Sequence, residues 1–253
     1  MKKILLVCYG GGHVKIMEPL YRSLVEKYKV TILALTTAGK YLETKGVPYV
    51  NFSTFEELLT DEILGYGELL TKDHKNSLMP KKEAVAYMGL SFSELVESTG
   101  TFKTAMDTLN KNGRSVFLPY KTVGYIIEKF SPDLVITTNS PRAELATLQY
   151  AKSNNIPSIC INDNVWIESG AKFVAQNDLS DLICVLSDEV RNSIVKETNY
   201  PEERVIVTGT PVFDRLKELS TNIVKNPRKT IVLADCDLPS ENARFQDLLE
   251  IRC

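Results

Sequence analysis

Short runs of consecutive apolar residues alternate along this chain with longer stretches in which apolar residues recur every three or four positions. Ile4–Cys8 reads as a first strand, and Met17, Leu20, Leu24 and Tyr28 fall at helical spacing within a helix from about Val14 to Tyr28. Val30–Leu35 predicts a second strand, Ala38–Lys45 a short helix closed by Gly46, and Tyr49–Phe52 a short third strand. After a long interruption the alternation resumes. Phe117–Phe130 predicts a helix, Asp133–Thr138 a strand, and Pro141–Ser153 a helix with Ser140 as N-cap and Pro141 at its first position. Ser158–Ile161, Leu182–Leu186 and Arg204–Val207 predict strands, and Asp188–Thr198 and Val212–Leu219 helices. The strand runs are apolar throughout rather than alternating, as expected when helices cover both faces. Repeated β-α units of this kind predict an α/β fold with a doubly wound parallel sheet.

Two segments depart from this rhythm. Residues 53–114 contain no strand-like run, only short helical patterns such as Phe55–Leu59 and Ser93–Val96, and read as a helical insertion or a mobile flap. Thr221–Lys229 is polar, contains Pro227 and reads as a linker. Beyond it, Thr230–Ala234 predicts a strand and Glu241–Ile251 a helix. One β-α unit cannot build a core of its own. Ile231, Leu233, Leu248 and Leu249 are therefore expected to pack on the first domain, meet a partner subunit or drive self-association.

Charge narrows the function. Lys and Arg number 30 against 32 Asp and Glu, a net charge of −2, so neither nucleic acid nor an anionic membrane is an expected partner beyond peripheral contact. No apolar run approaches the roughly 18 residues of a membrane span. The five cysteines form no CxxC pair, and Cys8, Cys160 and Cys184 lie in apolar strand runs. They read as reduced core residues of a cytoplasmic protein, with no metal or cofactor implied.

In an open parallel sheet, ligands bind beyond the carboxyl ends of the strands. The residues expected there are Gly10, Gly11, Gly12 and His13 after the first strand, Thr36–Gly39 after the second, and Asn139, Ser140 and Arg142 after the strand ending at Thr138. Asn162, Asp163 and Asn164, and then Gly209 and Thr210, come after two later strands. Three successive glycines allow close backbone approach, and the helix after them offers amides to an anion. The loop matches neither GxGxxG nor a P-loop. His13, at the turn into the helix, is the candidate base or phosphate contact, or else a cap on a tight turn. Arg142 suits a phosphate or carboxylate, or a surface pair with Glu144. Asn162 and Asp163 suit sugar hydroxyls, or an ordinary Asx turn. Trp166 suits sugar stacking or simple packing.

Gly10-Gly11-Gly12-His13-Val14, followed by a helix and a strand leading into Thr36-Thr37-Ala38-Gly39, resembles the start of GT-B glycosyltransferases. The likeness is to the lipid-linked N-acetylglucosaminyltransferase group and to the wider set that includes nucleotide-sugar 2-epimerases. Ser131–Thr138 with Ile156–Ile159, and Val207–Asp214, are similar to later segments of that Rossmann-like N-terminal domain. The resemblance implies an acceptor-binding domain over residues 1–220, a linker over 221–229, and the start of a truncated or missing donor domain over 230–253. It places His13 in the interdomain cleft as catalytic base or phosphate contact. It implies a nucleotide-sugar donor and a cell-surface glycan or lipid-linked acceptor as partners. Two alternatives stay open: a 2-epimerase, although the first loop lacks the arginine expected of that group, and a non-catalytic acceptor-binding subunit of a split enzyme. With a donor domain so short, the chain alone is expected to bind nucleotide-sugar weakly and not to turn over.

Overall fold

A computed structural model describes residues 1–163, 170–214 and 216. The chain divides into two units, Met1–Arg215 and Leu216–Cys253, and every strand and helix among the described residues belongs to the first. Expectations for Asn164, Trp166, Cys236, Cys253 and the segments at 221–253 lie outside the described residues.

Among the described residues six parallel strands form one sheet: β1 (Lys3–Cys8), β2 (Lys29–Ala34), β3 (Leu134–Thr138), β4 (Ser158–Ile161), β5 (Leu182–Val185) and β6 (Val205–Val207). Their spatial order is β2-β1-β3-β4-β5-β6. Val50 adds an isolated parallel bridge to Leu33 outside β2. The expected Tyr49–Phe52 strand is thus reduced to one bridge. Asn51 ends it by capping a 3-10 turn at Phe52–Thr54, which carries the Phe52 ring into the core. With Val50 as a seventh position, the sheet runs outward in one direction from β1 and in the other from β3. The crevice between β1 and β3 is the topological switch point.

Alternate residues of each strand enter different cores. Ile4, Leu6 and Cys8 of β1 pack with α1 (Gly12–Val25) and α2 (Ala38–Thr44), whose inner residues include Val14, Met17 and Leu42. Leu5 and Val7 face the opposite core. That core is built from α4 (Lys81–Thr99), α5 (Phe102–Asn112), α6 (Tyr120–Phe130) and α7 (Ala143–Ser153). Cys160, Ile183, Val185 and Val205 continue the same face under α7, α8 (Ala171–Gln176) and α9 (Asp188–Glu197).

Residues 53–114 are helical and well packed. They form α3 (Asp61–Leu70), α4 and α5, and Ala84, Tyr87, Leu90, Phe92, Leu95, Ala105 and Leu109 are buried in the core. Apolar residues occur on most sides of α4, so no single stripe marks it in the sequence. Two further corrections concern helix ends. The helix expected from Pro141 begins at Ala143, because Ser140 does not cap it; the Ser140 amide instead donates to the Glu144 carboxylate. The helix expected from Val212 opens as a 3-10 turn at Pro211–Phe213, and most of its remainder lies outside the described residues. Helix α8 went unmarked by periodicity. Among the described residues no helix is long and apolar enough to cross a membrane.

Candidate functional site

The carboxyl ends of β1, β3 and β4 bring the glycine-histidine loop, the 139–142 loop and the 162–163 loop to one edge of the sheet. Gly10 is pressed against the loop after β2: a Cβ there would lie 1.7 Å from Thr37 Oγ1 and 3.2 Å from the Ala38 amide nitrogen. Gly11 turns the chain with φ +72° and ψ −129°, and α1 starts at the next residue. Gly11 and Gly12 are exposed, so the amides opening α1 sit at the surface of this edge.

His13 is held from behind. Its Nδ1 lies 2.6 Å from Thr138 Oγ1 and 3.4 Å from Asp163 Oδ2, and its side chain keeps 24% exposure. Thr138 in turn donates toward the Glu144 carboxylate, with both oxygens at 2.8 Å. Glu144 is fully buried. Its oxygens also accept the Ser140 amide at 2.7 Å and the Tyr9 amide at 3.2 Å. Burial pushes the Glu144 carboxyl above its ordinary value, while the His13 charge, the Thr138 hydroxyl and the two amides pull it down.

The Tyr9 ring separates this cluster from the helical insertion. Its hydroxyl accepts the Ala143 amide at 3.2 Å and lies 3.0 Å from the Tyr87 hydroxyl of α4. Both phenols are pushed up by burial. The Arg142 guanidinium stacks on the Tyr9 ring, 4.2 Å from its centroid. The surface pair of Arg142 with Glu144 does not form, because Glu144 is turned inward to Thr138.

Asn139 and Asn162 are buried and face one another, the Asn139 Nδ2 donating to Asn162 Oδ1 at 2.8 Å. They tie the β3 and β4 loops together. Ser140 is also buried, and its hydroxyl has no hydrogen-bond partner among the described residues. Gly209 and Thr210 are half-buried after β6, and the Pro211–Phe213 turn beyond them packs against α1. The edge thus gathers His13, Asp163, Asn139, Ser140, Arg142 and Asn162 near the β1–β3 crevice, while Gly209 and Thr210 follow β6 at the far end of the sheet. Thr138, Tyr87 and the inward role of Glu144 escaped the sequence reading. A carboxylate one turn into a helix reads as a surface partner of the helix dipole, and nothing local signals its burial. Cys8 and Cys160 border the cluster as buried thiols whose acidity burial suppresses, which makes them poor nucleophiles. Among the described residues no three His, Cys, Asp or Glu side chains converge as a metal site.

No protein-family model matches the chain, and no curated protein matches it in sequence. Solved structures do match its fold. UDP-GlcNAc 2-epimerase from Neisseria meningitidis bound to UDP-GlcNAc aligns with TM-score 0.50 and 17% identity, over 87% of this chain and 50% of that one. The S. aureus MnaA-UDP co-structure aligns with TM-score 0.51 and 15% identity, over 91% and 48%. The Methanocaldococcus jannaschii UDP-GlcNAc 2-epimerase in complex with UDP-GlcNAc and UDP aligns with TM-score 0.51 and 13% identity, over 87% and 51%. The chain spans about half the length of these structures. At this identity the likeness is one of fold: a Rossmann-like α/β domain with a parallel sheet.

Proposed function

We propose that this chain is the base-bearing, acceptor-binding half of a nucleotide-sugar glycosyltransferase acting on a cell-surface glycan or lipid-linked acceptor. The observation that carries the reading is His13, partly exposed beside the glycine loop, with Nδ1 engaged by Thr138 and Asp163 and with no hydrogen-bond partner for Nε2 among the described residues. In transfer, Nε2 takes the proton of an acceptor hydroxyl as its oxygen attacks the anomeric carbon. The bond from that carbon to the nucleoside diphosphate breaks, and the diphosphate leaves with the electron pair. Exposed amides at the start of α1 and the Arg142 guanidinium suit anionic parts of the substrates. Ser140, buried with an unpartnered hydroxyl, suits a sugar hydroxyl.

A 2-epimerase is the second reading. It is favoured by the fold likeness to enzymes whose structures hold UDP-GlcNAc or UDP. The same histidine would then exchange a proton at C2 of the sugar. A non-catalytic binding subunit is the third. The purified chain, incubated with uridine-, guanosine- and cytidine-diphosphate sugars with and without glycan acceptors, separates them. Acceptor-dependent nucleotide release supports transfer. Inversion at C2 without acceptor replaces transfer by epimerisation. Transfer by the chain alone excludes the subunit reading, and transfer only after a second, donor-binding protein is added supports it; no transfer under either condition overturns the first.

A further inference from the structure

We propose that Glu144, acting through the Thr138 hydroxyl, is a positioning residue that holds His13 in the tautomer with its proton on Nδ1, leaving Nε2 as the proton-accepting atom. The proposal rests on the reading of His13 as the base. Its structural part, however, concerns the free protein and can be measured there.

Counting protons fixes the direction of each bond. A threonine hydroxyl has one proton to give and lone pairs to receive with. Thr138 Oγ1 is 2.8 Å from both oxygens of Glu144, so its proton is directed at the carboxylate. The other groups at that carboxylate, the Ser140 and Tyr9 amides, can only donate. An ionised carboxylate, which only accepts, satisfies all three donors. Having given its proton to Glu144, Thr138 can only accept from His13 Nδ1, 2.6 Å away. Asp163 Oδ2, at 3.4 Å, favours a proton on the same nitrogen. A free neutral imidazole prefers its proton on Nε2, so this site selects the less favoured form. Were Glu144 protonated, the chain would reverse. Glu144 would donate to Thr138, Thr138 to Nδ1, and Nε2 would carry the proton and could not act as a base.

Burial raises the Glu144 carboxyl, and the His13 charge, the Thr138 hydroxyl and the Ser140 and Tyr9 amides act against it; the three donors that converge on it are what an ionised carboxylate satisfies. When Nε2 takes a proton, the ring becomes cationic and keeps its Nδ1 proton. The Glu144 charge, fixed behind Thr138 in a dry setting, then offsets the new positive charge without itself accepting a proton. The arrangement joins β1, β3 and the first turn of α7, so the tautomer of a partly exposed residue in the first turn of α1 is decided by a group in the core.

The test is ¹⁵N NMR of the histidine ring nitrogens. The chain has two histidines, His13 and His74, and a His13→Gln spectrum assigns them by difference. In the unaltered protein, neutral His13 is expected to carry its proton on Nδ1. Thr138→Val is expected to shift the ring toward the Nε2 proton, Thr138→Ser to retain the Nδ1 proton, and Glu144→Gln to weaken the preference. In turnover, Thr138→Val is expected to lower kcat about 10- to 1,000-fold with the donor KM retained, and Thr138→Ser to restore most of it. A proton on Nε2 in the unaltered protein overturns the proposal even where the valine variant does not fold. An Nδ1 proton unchanged by Thr138→Val also overturns it, and assigns the tautomer to Asp163. The expected ring spectra without turnover of any donor sink the transferase reading and leave the proposal standing. Turnover lost in His13→Ala, with the proton on Nε2, does the reverse.

Discussion

His13 and Glu83 show how differently two polar side chains behave in one domain. His13 stands at the surface edge with its back to a polar relay, and its loss should be felt in chemistry and not in folding. In the assembly that turns over, the chain with its donor-binding half, His13→Gln is expected to lower kcat for sugar transfer about 10²- to 10⁴-fold, with little change in the unfolding midpoint of the chain. Steady-state kinetics beside urea denaturation check both halves of that expectation. Glu83, on α4, is 1% exposed. It accepts the Ser53 amide at 3.0 Å, with the Thr36 and Phe52 amides facing it, yet burial outweighs these donors and pushes its carboxyl up to about 8. The folded chain therefore holds a proton on Glu83 that the unfolded chain releases near pH 4.3. Between there and about pH 8 the folded state binds more protons, so stability falls as pH rises, by at most about 1.4 kcal/mol per pH unit. Glu83→Gln should flatten that slope and equal or exceed the parent in stability at about pH 8. Urea midpoints measured across this range decide the matter, and an unchanged slope in the variant contradicts the assignment.

At the scale of elements, α3 and α4 are joined through their glycines. A Cβ on Gly67 would lie 2.2 Å from the Val85 carbonyl oxygen, and one on Gly89 would lie 2.2 Å from the Ile63 carbonyl oxygen. Each contact is with backbone, so neither helix can yield by moving a side chain. Gly89→Ala should therefore destabilise the domain by about 1–3 kcal/mol through overpacking, despite alanine's higher helix propensity. A urea midpoint at or above that of the parent would show that the helices separate freely. The same packing bears on the insertion as a whole. Tyr87 stacks on Phe52 with ring centroids 5.9 Å apart and meets Tyr9 at the end of β1 edge-on at 6.0 Å. Amides of α4 around Tyr87 and Leu90 are expected to exchange as slowly as those of β3. Exchange faster by several orders of magnitude would instead support a mobile flap.

For the molecule as a whole, the order of strands decides what meets what. Residues Ile4–Cys8, Asp133–Thr138 and Ser158–Ile161 were legible as strands, because unbroken apolar runs bounded by polar turns have few other solutions. The parallel sheet followed from the helices between them, and the ligand edge from the parallel sheet. His13, Arg142 and Asp163 could thus be placed on one edge from their positions after strands. Periodicity alone also marked Met17, Leu20 and Leu24 of α1, with Tyr28 just beyond it, and all four join the core on that face. Depth and pairing, by contrast, were settled only in the folded chain. Glu144 became a buried partner of Thr138, and Arg142 a cation stacked on Tyr9, because β1 and β3 are neighbours separated by more than a hundred residues in sequence. Tyr49–Phe52 lost its strand to the Asn51 cap, and α4 lost its amphipathic stripe to burial on several sides. Periodicity reports the environment of a residue averaged over one element. A hydrogen bond between loops at adjacent strand ends depends on atoms that the chain brings together only when the sheet has formed.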